Sequence, residues 1–258
     1  LAPFHYLYGT TLLYSIEEST DGAQQMTVGD EDNVDDMQIA WENLDTARTI
    51  FEHMIAEKPS DKLKVDLAQV LLREGDLQRQ NGNYDAAILD YSNCLECLHE
   101  NSTVQPYSRK IADVHYNLGM VNLTLVAAAA DSEAAVDAKQ RDAARSQGFQ
   151  HLYECGKVFA GIIAEIGGID PEKVVRDAES SIPNFKTTGD DADEHPKIIS
   201  LKLRSLQNSV RELKIDCPEV EDLIAVLEEI QETVDEADNS EQGLHEATAL
   251  KEQIAAAV

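Results

Sequence analysis

Positive charge is what this chain has least of. Its 258 residues carry 21 Lys and Arg against 49 Asp and Glu, a formal net charge of −28. No Lys or Arg precedes Arg48, and none lies between Ile215 and Leu250. Such a field repels nucleic-acid phosphates and anionic membranes, so no direct contact with either is expected; it attracts basic proteins. Acidity that serves solubility alone is the plainer alternative. The unbroken apolar run of roughly eighteen residues that a membrane-spanning helix needs is missing. Cysteine is limited to Cys94, Cys97, Cys155 and Cys217. Cys94 and Cys97 form a C-x-x-C on a helical stretch, without the βαβ setting or second ligand pair that a redox or zinc role requires. All four read as ordinary thiols in a reducing compartment. The opening LAPFHYLYG lacks the basic region of a signal peptide. It also starts in mid-pattern and without Met, as a trimmed fragment would.

Signatures of chemistry are equally scarce. The chain has no phosphate-cradling glycine loop, no H-E-x-x-H pair and no calcium-binding loop. His5, His53, His99, His115, His151, His195 and His245 are scattered. His151 and Cys155 have an i,i+4 spacing that could ligate a metal, but no second pair supports them. No cofactor, metal or catalytic set is expected, and the chain does not read as an enzyme.

What is present is helix. Aromatics make up only 5% of the residues and long stretches carry apolar residues at spacings of three and four, so the expected class is all-α. The most organised stretch is LAQVLLREGDLQRQNGNYDAAILDYSNCLE, 67–96. Leu67, Val70, Leu71 and Leu77 share one face before Asn81-Gly82-Asn83 breaks the helix. Ala87, Ile88, Tyr91, Cys94, Leu95 and Leu98 then resume the pattern. Gly75 sits inside the first helix, where Gly costs about 1 kcal/mol relative to Ala; a close helix crossing justifies it. Gly75, Ala87 and Tyr91 have the spacing of a tetratricopeptide unit.

Weaker copies flank it. Phe4–Ser15 reads as a first helix with Gly9. Its partner, with Met37, Ala40, Trp41, Leu44 and Phe51, follows an acidic insertion, 17–36, that includes Asp30, Glu31, Asp32, Asp35 and Asp36. That segment holds eight acids and no base and cannot order itself alone; a cationic partner would help it fold. Gly119 marks a third unit, whose partner helix from Phe149 to Ile166 is displaced by an Ala-rich insertion, 126–148. The expected architecture is a tetratricopeptide-repeat helical solenoid with insertions and a C-terminal capping helix region. Residues 1–168 form the array, 169–196 a linker with a short helix at Pro171, 197–238 the capping helices, and 239–258 a tail or marginal helix. A stack of helix pairs leaves an apolar end, which a terminal helix covers.

First helices line the concave wall of such an array. The inward positions are Tyr6, Thr10, Leu13 and Tyr14; then Gln69, Leu72, Asp76, Arg79 and Gln80; then Asp113, Tyr116, Met120, Leu123 and Thr124. Apolar and aromatic anchors beside Asp76 and Asp113 suit a helix or peptide bearing Arg or Lys. The plainer readings are that Leu72 and Met120 pack on neighbours and that Asp113 caps its helix. An acidic wall also sets the chain apart from tetratricopeptide domains that hold acidic chaperone tails in a basic groove.

Three stretches, NVDDMQIAWENLDTARTIF at 33–51, LREGDLQRQNGNYDAAILDYSNCLE at 72–96 and ADVHYNLGM at 112–120, resemble the NASP family of histone chaperones. The acidic end LIAVLEEIQETVDEAD at 223–238 is similar to that family's end helix. A repeat broken by an acidic insertion before Met37 is the specific part. The resemblance implies binding of histone H3–H4, with linker histone also attributed to members, and a nuclear location with shuttling through the cytoplasm. It implies that Leu72, Asp76, Asp113, Tyr116 and Met120 face the histone; self-association is left open. The chain departs from the pattern in lacking a complete preceding unit, in its shorter acidic insertion and in its Ala-rich insertion. The alternative is an acidic tetratricopeptide adaptor for another basic protein or peptide.

Overall fold

A computed structural model describes residues 1–21, 31–131, 138–182 and 196–256, with side chains described for 1–18, 35–128, 139–182 and 198–239. The described residues form nine helices and no strand. They are α1 (Ala2–Asp21), α2 (Glu31–Glu57), α3 (Asp61–Gln80), α4 (Tyr84–His99), α5 (Arg109–Asp131), α6 (Ala138–Ile166), α7 (Pro171–Ser180), α8 (Pro196–Glu212) and α9 (Pro218–Ala256). The fold is all-α and solenoid-like: α1 packs on α2, α3 on α4 and α5 on α6. The chain divides into two compact units, 1–106 and 107–258.

In the first unit two helical hairpins stack through α2 and α3. Ser60 caps α3, its Oγ accepting from the Leu63 amide at 3.2 Å, which satisfies one amide left open at the helix start. The glycine in α3 has the reason expected of it. A Cβ at Gly75 would stand 2.5 Å from the Tyr91 ring, so only Gly lets α3 and α4 approach this closely. Tyr91 is fully buried and its hydroxyl donates to Asp76 Oδ1 at 2.8 Å. The first hairpin crosses the same way, with Gly9 against Ala40 and Leu44. In both hairpins a small residue precedes the large one by four: Ala40 and Leu44, Ala87 and Tyr91.

An acid also lies inside this unit. Glu74 of α3 is 3% exposed, with Arg48 Nε of α2 at 3.3 Å from its Oε1. Arg48 is shared with Asp45. Burial raises the Glu74 carboxyl to about 8 despite the pull of Arg48, and Asp90, Asp45 and Glu52 add to the rise. Burial likewise lifts Asp90 to about 6, against Arg48. Both native values exceed the unfolded ones, so the native state keeps protons that the unfolded chain releases. The stability this provides is complete below about pH 4 and is lost as pH rises through 8. Unfolding by urea between pH 6 and 9 should therefore show stability falling with pH. Glu74→Gln should flatten the upper part of that fall and gain about 1–3 kcal/mol at pH 9. Parallel pH profiles for the two proteins would contradict this account.

The second unit is built on α6, which packs against α5, α7, α8 and α9. Gly119 of α5 faces Gly148 and Leu152 of α6, repeating the small-then-large spacing. The Ala-rich stretch divides accordingly: α5 continues to Asp131 and α6 begins at Ala138, as high alanine propensity favours. The segment after Gly168 contributes core as well as connection. Asp170 caps α7, Pro171 occupies its first turn, and Val174, Val175 and Ala178 are buried. Tyr153 of α6 is buried and donates to Glu179 Oε1 of α7 at 2.6 Å. Val220, Leu223, Leu227, Ile230 and Val234 form the buried stripe of α9, each Leu or Ile contributing about 2 kcal/mol. Ser200 and Arg204 of α8 donate to the two oxygens of Asp235 on α9, at 2.7 Å each. This pairing holds the Asp235 carboxyl below its ordinary range against the opposing effect of burial.

Candidate functional site

The expected wall residues fall in both units, and each unit is described by itself. In the second, Asp113, Tyr116 and Met120 succeed one another along α5 at spacings of three and four, which places them on one face. Asp113 is exposed; Tyr116 and Met120 are half-buried. Leu123 and Thr124 continue the row half-buried, the Thr124 hydroxyl donating to the Met120 carbonyl at 2.8 Å. The opposite face of α5 is core, with Ile111, Val114, Leu118 and Val121 buried. The α5 row thus presents a carboxylate, a phenol ring and a thioether at the surface. That combination offers a charge-assisted bond to a cation beside area to cover an apolar side chain.

In the first unit the expected wall residues lie on α1 and α3. Leu72 is half-buried. Asp76 is 5% exposed, and its carboxylate is engaged from within: Tyr91 donates to Oδ1, and Arg73 Nη1 donates to Oδ2 at 2.7 Å. Arg73 Nη2 also donates to the Tyr14 hydroxyl at 2.5 Å, and the guanidinium carbon lies 4.9 Å from that ring's centroid. Gln80 donates to Glu17 Oε1 at 2.7 Å. Burial and the Asp76 charge raise the Glu17 carboxyl above its ordinary value. Leu13 is fully buried and belongs to the core rather than the wall; Thr10 is also buried, 8% exposed. Gln69 is half-buried and Arg79 exposed. Arg73 is absent from the wall expected from sequence because an arginine paired with Asp76 and Tyr14 leaves no mark in an apolar pattern.

Of the acidic insertion, Asp35 is exposed and Asp36 half-buried near the start of α2. The backbones of Glu31 and Asp32 lie in the first turn of α2, their side chains outside the described set, and Asp30 lies outside the described residues. Acids at a helix start are favoured by its dipole.

His115 and His151 meet across α5 and α6, Nδ1 to Nδ1 at 3.1 Å, and burial lowers His151 despite nearby Glu154. Among the described residues no group of three His, Cys, Asp or Glu could hold a metal ion. The four cysteines are unbridged. Burial pushes the Cys94 thiol up to about 12 and raises Cys97 and Cys155 also, which keeps them from reacting as thiolates. No described helix is long and apolar enough to cross a membrane.

Known proteins similar to this chain match it over about a third of its length. Histone-binding protein N1/N2 of Xenopus laevis is 30% identical over 89 residues, 34% of this chain and 14% of its own length. Protein HGV2 of Halocynthia roretzi is 34% identical over 92 residues, 35% of this chain and 17% of its own. The human nuclear autoantigenic sperm protein is 25% identical over 91 residues, 35% of this chain and 11% of its own. The chain thus aligns with well under a fifth of the length of these NASP-type relatives. No protein-family model matches it. Among solved structures, BtubC (BKLC) from P. vanneervenii covers 90% of the chain at 14% identity with a TM-score of 0.27, too low to carry an argument about fold.

Proposed function

We propose that the chain is a non-enzymatic histone chaperone that binds H3–H4 and shields its basic surface during nuclear transport or nucleosome assembly. The observation that carries this reading is the α5 row: exposed Asp113 beside half-buried Tyr116 and Met120 on a chain of net charge −28. The printed name of the Xenopus relative supports a histone as the partner. The physical role is competition. Free H3–H4 is cationic and adheres to DNA without sequence preference. A dense negative field draws it in, and fixed side chains then select it over other basic proteins. Long-range attraction fades with salt, whereas desolvated aromatic and thioether contacts persist. Linker histone falls within the same charge logic, without the α5 contacts being fitted to it.

The experiment is capture at about 0.5 M salt, where the screening length is near 4 Å. The immobilised chain is offered H3–H4, H2A–H2B and a size-matched basic control. H3–H4 should be retained well above the other two. Equal capture of all three favours an adaptor for basic proteins at large, and capture of none removes the proposal.

A further inference from the structure

The α1–α3 wall of the first unit is assembled around a guanidinium that the chain supplies itself. Arg73 donates to Asp76 Oδ2, donates to the Tyr14 hydroxyl and lies against the Tyr14 ring. Planar donors facing a carboxylate and an aromatic ring are what arginine recognition consists of. Asp76 is held in place for this, its other oxygen fixed by the buried Tyr91 hydroxyl. The surroundings offer more acceptors than Arg73 uses. Gln80 Oε1 is a buried atom without a hydrogen-bond partner, and its amide nitrogen is committed to Glu17. Unpaired buried acceptors cost free energy unless a donor reaches them. After burial, the Asp76 charge is what most opposes ionisation of Glu17, and Arg73 and Arg79 offset it there. Tyr14 remains 45% exposed, so one side of the cluster is open to a partner.

We propose that Tyr14, Glu17, Asp76 and Gln80 form an arginine-reading site on this wall, and that Arg73 occupies it as an internal competitor. This deepens the reading given above by naming the side chain that the first unit takes from a basic partner, and it rests on that reading. A partner arginine enters by displacing the Arg73 head from Tyr14 and Asp76, while Gln80 Oε1 supplies a further acceptor and the Glu17 charge a further attraction. Lysine, a point donor without the planar fork, gains less from the same exchange.

The test uses the full chain and two probes of equal charge, an octa-arginine and an octa-lysine peptide, with affinity measured by calorimetry. Arg73→Gln should tighten octa-arginine about fivefold and octa-lysine less than about twofold, because only the guanidinium regains a forked site. Arg176→Gln on α7, which makes the same charge change at an exposed position of the other unit, controls for net charge and should leave the ratio of the two affinities unchanged. Tyr14→Ala and Gln80→Ala, at positions not fully buried, should each weaken octa-arginine about three- to tenfold and leave octa-lysine nearly unchanged. If Arg73→Gln does not fold, these two variants decide. Equal shifts for both peptides, or no shift with Tyr14→Ala, would overturn the proposal. Measuring H3–H4 capture on the same proteins separates the two readings: intact peptide discrimination without histone capture would leave this site standing and remove the chaperone function.

Discussion

Asp113→Arg combined with Tyr116→Ala should weaken H3–H4 binding about a hundredfold while helicity stays at the parent value. The two changes act through different terms. Asp113 is exposed, so its replacement costs the fold little; its effect on a cationic partner is the loss of attraction and the gain of repulsion. Tyr116 is half-buried, and truncating it removes contact area that a partner would desolvate. Aromatic anchors near the middle of an interface carry about 2 kcal/mol or more each. Because the two residues lie one helical turn apart on α5, their effects should be coupled and the double variant is the informative one. Titration calorimetry on refolded H3–H4, with circular dichroism as the check on folding, measures both. Unchanged affinity would place the interface elsewhere than on α5.

The second large effect is on stability. Gly75→Val should destabilise the first unit by about 3 kcal/mol or more, a substantial part of the 5–15 kcal/mol that holds a typical domain. A Cβ at that position meets the Tyr91 ring at 2.5 Å, and the ring has nowhere to go because it is fully buried and tied to Asp76. Relief requires α3 and α4 to separate, which also breaks the Tyr91–Asp76 bond. Thermal unfolding should show the loss, with Gly75→Ala intermediate. A melting temperature within about 2 °C of the parent would mean that the crossing is looser than described.

These effects show what an apolar pattern can and cannot disclose. The α3–α4 crossing was readable because Gly75, Ala87 and Tyr91 keep a spacing that only a close helix pair explains. The first hairpin was readable despite its insertion, since Ala40 and Leu44 repeat the same register. Asp113 and Tyr116 follow from counting along the repeat from Gly119, and the buried face of α5, with Ile111, Val114, Leu118 and Val121, leaves the first exposed and the second half-buried. The wall of the first unit was only half readable. Periodicity put Asp76 on that face, but not the hydroxyl of Tyr91 or the guanidinium of Arg73 that occupy its carboxylate. Leu13 shows the same limit: it shares a helix with wall residues yet is wholly buried. Glu74 is the sharpest case. An acid among leucines reads as surface, and only the packing of α2 and α4 around α3 reveals it as buried. The pairing of His115 with His151 likewise depends on how α5 packs on α6, which residues 36 apart in sequence do not disclose.

Placed side chains grip the cation, with the negative field as an accessory. The capture assay extended from about 0.1 M to about 1 M salt tests this most directly. Across that range the screening length falls from about 10 Å to about 3 Å. Retention of the basic control should vanish early, while H3–H4 should decline and then level off at a residue that Asp113→Arg with Tyr116→Ala removes. H3–H4 and the control falling together to nothing would show that the field alone does the holding.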